Sequence, residues 1–89
     1  MSAIRKLTDN FIATEVGNEL LIVDLDGGEL FSLTGTAKAV WEAIDGKQGE
    51  GGIAALMAEQ HDGDSDTIVA DVHALLVELQ RAALVEITG

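Results

Sequence analysis

Short apolar runs in the first third of the chain have the composition and spacing of β-strands. The runs 11–16, 19–25 and 29–33 are rich in Val, Ile, Phe and Leu. Gly17-Asn18 and Asp26-Gly27-Gly28 separate them, and both are typical of the tight turns of β-hairpins. The pattern therefore predicts a three-stranded antiparallel meander. Its third strand is an edge, with one row of backbone N–H and C=O groups unpaired.

Beyond the third strand the apolar positions change to the spacing typical of α-helices. Thr34 or Thr36 is the predicted N-cap of a first helix, which ends at Asp45-Gly46. A second, short helix follows a glycine-rich connector over 46–52 and stops near His61. The first helix is predicted to turn one apolar face to the core: Ala37, Val40, Trp41 and Ile44.

The third helix is predicted to be the longest element, and it follows the acidic turn 62–66. Its core stripe has helical spacing: Ile68, Val72, Leu75, Leu76, Leu79 and Ala83. A second flank, rotated away from the stripe, carries Val69, His73, Val77 and Gln80. Residues 84–87 are predicted to form an extended segment that docks back. Residues 1–89 are therefore interpreted as one α+β domain, a three-stranded antiparallel sheet followed by three helices, with 1–10 as a flexible N-terminus.

Composition and charge narrow the class of protein. The 89 residues contain 5 Lys and Arg against 16 Asp and Glu, a net charge of −11. A hydrophobic content of 47% excludes a disordered acidic tail, whereas the core is too small for a complete enzyme with cofactor and substrate clefts. So few cations disfavour nucleic acid as a partner. The sequence has no apolar stretch of signal-peptide or membrane-spanning length, so a cytoplasmic protein without membrane contact is expected.

Few residues of the sequence are candidates for metal binding, cofactor attachment or catalysis. Asp62, Asp64 and Asp66 are similar to the opening of a calcium loop, but the glycine and bidentate glutamate that such a loop needs are absent. Asp64-Ser65 is similar to the phosphopantetheine site of acyl carrier proteins, but the strand-rich first third contradicts an all-helical bundle. The two histidines lack zinc-site spacing, and the sequence contains no cysteine. We therefore predict no metal, no cofactor and no catalytic residue, and a protein that is not an enzyme.

The residues around the first helix carry a family resemblance. The segment 33–37, Val40-Trp41 and Asp45-Gly46, followed by Asp71-Val72 and Leu84-Val85, resembles the family of the pyrroloquinoline quinone biosynthesis protein D. Its members are also called RiPP recognition elements, after the ribosomally made, post-translationally modified peptides whose precursors they bind. The resemblance extends from about residue 11 to 87.

The sequence departs from the family pattern in three places. Thr34 stands where many members have Asn, and Gly51-Gly52 replaces the better helix formers that usually precede the second helix. Ala83 stands where a Gly commonly ends the third helix. The first and last changes are conservative, and the glycine pair indicates a looser second helix.

The resemblance implies a winged helix-turn-helix-like domain that does not bind DNA. Such a domain captures the leader part of a precursor peptide and presents it to a modifying enzyme, such as a radical SAM or ATP-dependent maturase. The open edge 29–33 supports this independently, because a peptide can add to it as a further strand. The predicted peptide-binding residues are Glu29, Leu30, Phe31, Ser32 and Leu33 on the strand, and Val69, Val72, His73, Leu76, Val77 and Gln80 on the third helix. The prediction requires this helix to lie beside the third strand.

Two other functions fit the same pattern. A small structural subunit could dimerise through the open edge, giving a homodimer. A degenerate winged-helix regulator is the other alternative, although Asp66, Asp71 and Glu78 occupy the helix that would have to be basic. The acidic surface either attracts a basic partner or serves solubility alone.

Overall fold

The computed structural model describes residues 3–60 and 64–88. The elements in chain order are β1 (Ala3–Lys6), a 3-10 turn (Thr8–Asn10), β2 (Phe11–Val16), β3 (Glu19–Asp24), β4 (Leu30–Leu33), α1 (Gly35–Ala43), α2 (Glu50–Gln60), α3 (Ser65–Arg81) and β5 (Val85–Thr88). Strands β2, β3 and β4 form a three-stranded antiparallel sheet in that order, and β1 and β5 form a separate two-stranded ribbon. The predicted α+β fold, a three-stranded sheet followed by three helices, is confirmed.

The two-stranded ribbon is the main addition to the predicted fold. A flexible N-terminus was expected, whereas Ala3–Lys6 form β1 and pair with β5, so that Ile4 lies opposite Ile87. Ile4 is fully buried. Its N–H donates to the C=O of Gln48 (3.0 Å), and its C=O accepts from the N–H of Gly46 (2.9 Å). β1 is therefore held on both sides, by β5 and by the loop after α1.

One face of the sheet packs against the helices. Leu20 and Ile22 of β3 alternate with outward residues and join a single core cluster with Leu33, Val40 and Met57. Trp41 is 4% exposed, which confirms its predicted place in the core. Its ring meets that of Phe11 edge to face, with centroids 5.1 Å apart. The helices thus cover the inner face only.

The helix boundaries differ in detail from the sequence prediction. Thr34 is the residue before α1 and has extended backbone angles, but its side chain makes no capping hydrogen bond. α2 begins at Glu50 and so includes Gly51 and Gly52, which had been placed in the connector. A carboxylate in the first turn favours an early start because it faces the positive end of the helix dipole. The predicted end of α2 near His61 lies outside the described residues.

The end of α3 also corrects one predicted core position. α3 starts after Asp64, whose Oδ1 accepts the N–H of Asp66 at 3.0 Å, and it ends at Arg81. Ala83 had been placed in the core stripe, but it is exposed and has a φ of +60°. The chain must turn sharply there to lead into β5, so Ala83 lies beyond the end of the helix.

No helix in the described part of the chain is long and apolar enough to cross a bilayer.

Candidate functional site

The free side of β4 offers backbone hydrogen-bonding groups. Ile22 lies opposite Phe31 in the register of β3 and β4, and the N–H of Asp24 donates to the C=O of Glu29 (2.8 Å). Hydrogen bonding alternates along an antiparallel strand, so Leu30 and Ser32 direct their N–H and C=O groups away from β3. Within residues 3–60 and 64–88 no strand pairs with this side of β4. The predicted open edge is therefore present.

A cleft of about 270 Å³ separates this strand from the C-terminal half of α3. Glu29 and Phe31 line it on the strand side, and Glu78, Arg81 and Ala82 line it on the helix side. The third helix therefore lies beside the third strand of the sheet, the arrangement that the predicted peptide site requires.

A second cleft, of about 250 Å³, continues along the same helix towards its N-terminus. It lies between α1 and α3, and its walls are mainly apolar. The lining residues are Thr36, Ala37, Val40, Asp71, Val72 and Leu75. Because the chain runs from Phe31 to Thr36 while the facing helix residues run from Glu78 back to Asp71, β4 and α3 are antiparallel. Together the clefts border an elongated groove.

One flank of α3 faces these clefts, and it is not the predicted flank. At about 100° per residue, Asp71, Leu75, Glu78 and Ala82 lie together on one side of the buried stripe. The predicted flank of Val69, His73, Val77 and Gln80 lies on the other side. His73 Nδ1 is 3.0 Å from both carboxylate oxygens of Glu50, so this side chain faces α2. The structure does not bring that flank to the groove.

The strand residues of the predicted site divide by burial. Leu30 is 61% exposed, and Glu29 and Ser32 are also exposed. Phe31 is half-buried and lines the cleft, whereas Leu33 belongs to the core. Four of the five predicted strand positions therefore present surface to the open edge or the cleft.

The helix residues of the predicted site divide differently. Val72 and Leu76 are fully buried in the core, and Val72 also forms part of the apolar cleft wall. Val77 is half-buried, while Val69, His73 and Gln80 are exposed on the far flank. Among these residues only Val72 contributes to the groove.

Sequence reasoning missed the helix side of the groove. The missed residues are Asp71, Leu75, Glu78, Arg81 and Ala82. Helical spacing identifies two flanks of α3, one on each side of the buried stripe. The spacing alone does not indicate which of the two flanks faces β4. The choice depends on which side α2 packs against, and this is a contact between distant parts of the chain.

The charges of the groove are mainly acidic. Glu29 and Glu78 outnumber Arg81 among the charged residues that line the larger cleft, and Asp71 borders the apolar one. The groove can therefore receive an extended chain with apolar side chains and an excess of positive charge. In the described ranges no three His, Asp or Glu side chains are grouped so that they could hold a metal ion. Asp62, from the acidic turn considered above, lies outside those ranges.

Comparison with known proteins agrees with this architecture. None of the proteins with curated functions matches the chain significantly in sequence. Its structure is similar to that of "TbiB1 in Complex with the TbiA(beta) Leader Peptide", with a TM-score of 0.78 and 20% identity over 91% of this chain and 94% of that one. It is also similar to "Lasso peptide synthetase B1 complexed with the leader peptide", with a TM-score of 0.75 and 14% identity over 96% of each chain.

The family match covers the sheet edge and all three helices. The family model described as Coenzyme PQQ synthesis protein D matches residues 19–85, which include β3, β4 and α1 to α3. This is more than half of the chain and contains every residue that lines the groove between β4 and α3. The chain therefore belongs to the PqqD family.

Proposed function

We propose that this protein is a peptide chaperone that binds the leader part of a ribosomally made precursor peptide and presents it to a modifying enzyme. The observation that carries the proposal is the open edge of β4 beside a groove on α3. Membership of the PqqD family supports it, and so do two structurally similar proteins that were solved as complexes with leader peptides. Such a chaperone binds the peptide, and the modifying enzyme carries out the reaction on it.

The leader peptide adds to β4 as a fourth strand in this proposal. The N–H and C=O groups of Leu30 and Ser32 supply up to four backbone hydrogen bonds, which do not depend on the peptide sequence. Side chains of the added strand alternate between the two faces of the sheet. Every second side chain of the peptide therefore enters the groove between β4 and α3.

Sequence preference then comes from the groove. The cleft lined by Val40, Val72 and Leu75 suits an apolar side chain, because its walls are mainly aliphatic. The cleft that contains Glu29, Glu78 and Arg81 suits a polar or basic side chain. The peptide partner is accordingly an extended segment with an apolar anchor and positive charge near it.

The second partner is a peptide-modifying enzyme, such as a radical SAM or ATP-dependent maturase, and the protein itself is not catalytic. It acts in the cytoplasm, where ribosomal precursors are made. Its working unit is one copy of the chain, because a second copy paired along β4 would occupy the edge that the peptide needs. Dimerisation through that edge is thus the competing function.

An NMR titration tests the proposal directly. The labelled protein is titrated with the leader half of the precursor peptide encoded beside it, and with a scrambled peptide of the same composition as control. We expect shifts concentrated at 29–33 and on the groove flank of α3, with new protection of the Leu30 and Ser32 amides from exchange. A dimer whose edge amides are protected before any peptide is added would instead favour a structural subunit.

A further inference from the structure

The sheet face that points away from the helices is apolar. Five of the most exposed large apolar side chains lie on this face: Ile12 (58%), Val16 (56%), Val23 (37%), Leu25 (53%) and Leu30 (61%). We call them the outer apolar face. Ile12 lies opposite Val23, and Val23 lies opposite Leu30, so these three form a continuous row across all three strands. Neighbouring strands are about 5 Å apart, so the side chains of the row lie next to one another on the same face.

β3 has the sequence of a strand that is covered on both sides. An antiparallel strand with one solvent face normally alternates apolar and polar residues. Here Leu20 and Ile22 enter the core, while Leu21 and Val23 point outward. The outward series continues at Leu25, whose N–H donates to the C=O of Asn10 at 2.9 Å. Contiguous exposed apolar surface of this kind marks an interaction site.

The charges at the border of this face are acidic. Glu19 lies opposite Val16 on the outer side, and Asp26 follows Leu25 in the turn after β3. The Lys and Arg residues of the chain all lie elsewhere: Arg5, Lys6, Lys38, Lys47 and Arg81. Arg5 pairs with Glu86 on β5 at 2.6 Å, and Lys38 of α1 pairs with Glu15 at 2.6 Å.

This charge pattern indicates which kind of partner binds the outer apolar face. A second copy of the chain would bring another net charge of −11 and the same acidic border to the interface. A partner with an apolar centre and a ring of Lys and Arg complements both the apolar row and its border.

We propose that the outer apolar face is the docking surface for the modifying enzyme, which presents an apolar patch ringed by Lys and Arg. The inference rests on the function proposed above and adds the place where the second partner binds. Leu30 links the two sites, because its side chain lies on the outer apolar face while its backbone groups lie at the open edge. A peptide on the edge and an enzyme on the face would therefore be direct neighbours.

A double substitution tests the docking surface separately from the peptide groove. Ile12→Thr combined with Val23→Thr removes two members of the row and keeps β-branched residues that favour a strand. The probes are the purified modifying enzyme encoded beside the precursor and the leader peptide alone. We expect the variant to bind the enzyme at least about tenfold more weakly, and to bind the leader peptide within about twofold of the unsubstituted protein.

Charge reversal provides a matched pair. Glu19→Lys places a positive charge at the border of the outer apolar face, whereas Glu59→Lys makes the same change at an exposed position on α2. We expect Glu19→Lys to slow association with the enzyme several-fold at low salt, and Glu59→Lys to slow it much less. Added salt should reduce the difference between the two variants.

The possible outcomes separate the two proposals. Full enzyme affinity in the double variant, or no binding of the enzyme by the unsubstituted protein, overturns the docking surface and leaves peptide capture standing if the leader still binds. Failure of the unsubstituted protein to bind the leader overturns the proposed function itself. Sedimentation equilibrium provides a further check, since a dimer that the double substitution dissociates would show that a second copy occupies the face.

Discussion

Leu84 donates its backbone N–H to the C=O of Leu79, 3.0 Å away, and thereby closes the last turn of α3. The N–H of Ala83 donates to Gln80 in the same turn, also at 3.0 Å. These two bonds define a Schellman motif, which requires a left-handed residue at the position of Ala83. Both leucines are buried, so the motif anchors the end of α3 where it borders the larger cleft.

Replacing Ala83 with Gly should stabilise the protein. Ala83 has a φ of +60°, and an alanine Cβ is strained there whereas glycine is not. We expect the free energy of unfolding to rise by about 0.5–1 kcal/mol in urea titrations followed by Trp41 fluorescence. Ala82→Gly is the matched control. Its φ of −81° suits alanine, so the substitution should lower stability. A less stable Ala83→Gly protein would contradict the motif.

The N-terminal strand should contribute a large share of the stability. Ile4 is fully buried, so Ile4→Ala leaves a cavity and should lower the free energy of unfolding by about 2–5 kcal/mol. Ile12→Ala makes the same chemical change at a site that is 58% exposed, and should cost about 1 kcal/mol or less. Equal, small losses in the two variants would show that β1 is not part of the folded core.

The elements that could be predicted from the sequence are those specified by local signals. The turn residues Gly17-Asn18 and Asp26-Gly27-Gly28 define the strands of the meander, and they do so whatever packs on the sheet. The helical spacing around Trp41 and Leu79 identified the buried faces of α1 and α3. Strand order then followed, because consecutive hairpins leave the third strand at the edge.

The parts that could not be predicted depend on contacts between distant residues. β1 is too short to be recognised by its own composition, and its strand conformation depends on β5 and on the carbonyl of Gln48. The groove flank of α3 is set by the packing of α2, which places His73 beside Glu50 on the opposite side. Periodicity along one helix contains neither piece of information.

The turn after α1 should make stability fall in acid. The N–H groups of Lys47 and Gln48 donate to Asp45 Oδ1 at 2.9 and 3.1 Å, and these bonds hold the pKa of the Asp45 carboxyl below its ordinary value. A carboxyl whose pKa is lowered in the folded state stabilises the fold at every pH above its ordinary pKa. This contribution is lost as the pH falls through the folded-state pKa. Asp45→Asn should therefore be less stable than the unsubstituted protein at pH 7.

Urea titrations of the Asp45→Asn variant and the unsubstituted protein, at pH 7 and in acid, measure the effect. As the pH falls below the folded-state pKa, the difference in stability between the Asp45→Asn variant and the unsubstituted protein should shrink, because the carboxyl then becomes protonated in both the folded and the unfolded state. The same turn positions Gln48, whose C=O accepts the N–H of Ile4, so the protection factor of the Ile4 amide, taken against the intrinsic exchange rate at the same pH, should fall in acid. A gap in stability that does not change with pH would contradict this role of the carboxylate.

Ser32→Pro should block peptide addition without unfolding the sheet. Proline lacks an N–H, but the N–H of Ser32 points away from β3, and proline is tolerated at such positions of edge strands. We expect leader affinity to fall roughly tenfold, the loss expected for about one hydrogen bond, as measured by calorimetry. Ser32→Ala keeps the N–H and should bind within about twofold. Equal affinities of the two variants would rule out backbone pairing at this residue.

Filling the cleft on one flank of α3 should show which side of the helix faces the peptide. Ala82 is half-buried and lines the cleft of about 270 Å³, whereas Gln80 is exposed on the other flank. Ala82→Leu places a larger side chain where the peptide must lie and should weaken leader binding roughly tenfold. Gln80→Leu adds a similar apolar group outside the groove and should change the affinity less than about twofold.

The opposite result would restore the flank predicted from the sequence. If Gln80→Leu weakens binding and Ala82→Leu does not, the peptide lies against Val69, His73 and Gln80, and the groove beside β4 is not the site. Stability must be measured for both variants, because Ala82 precedes the Schellman motif and a longer side chain there could disturb the helix end. Chemical-shift changes confined to 71–82 in Ala82→Leu would show that its effect is local, so that lost affinity reports on the cleft itself.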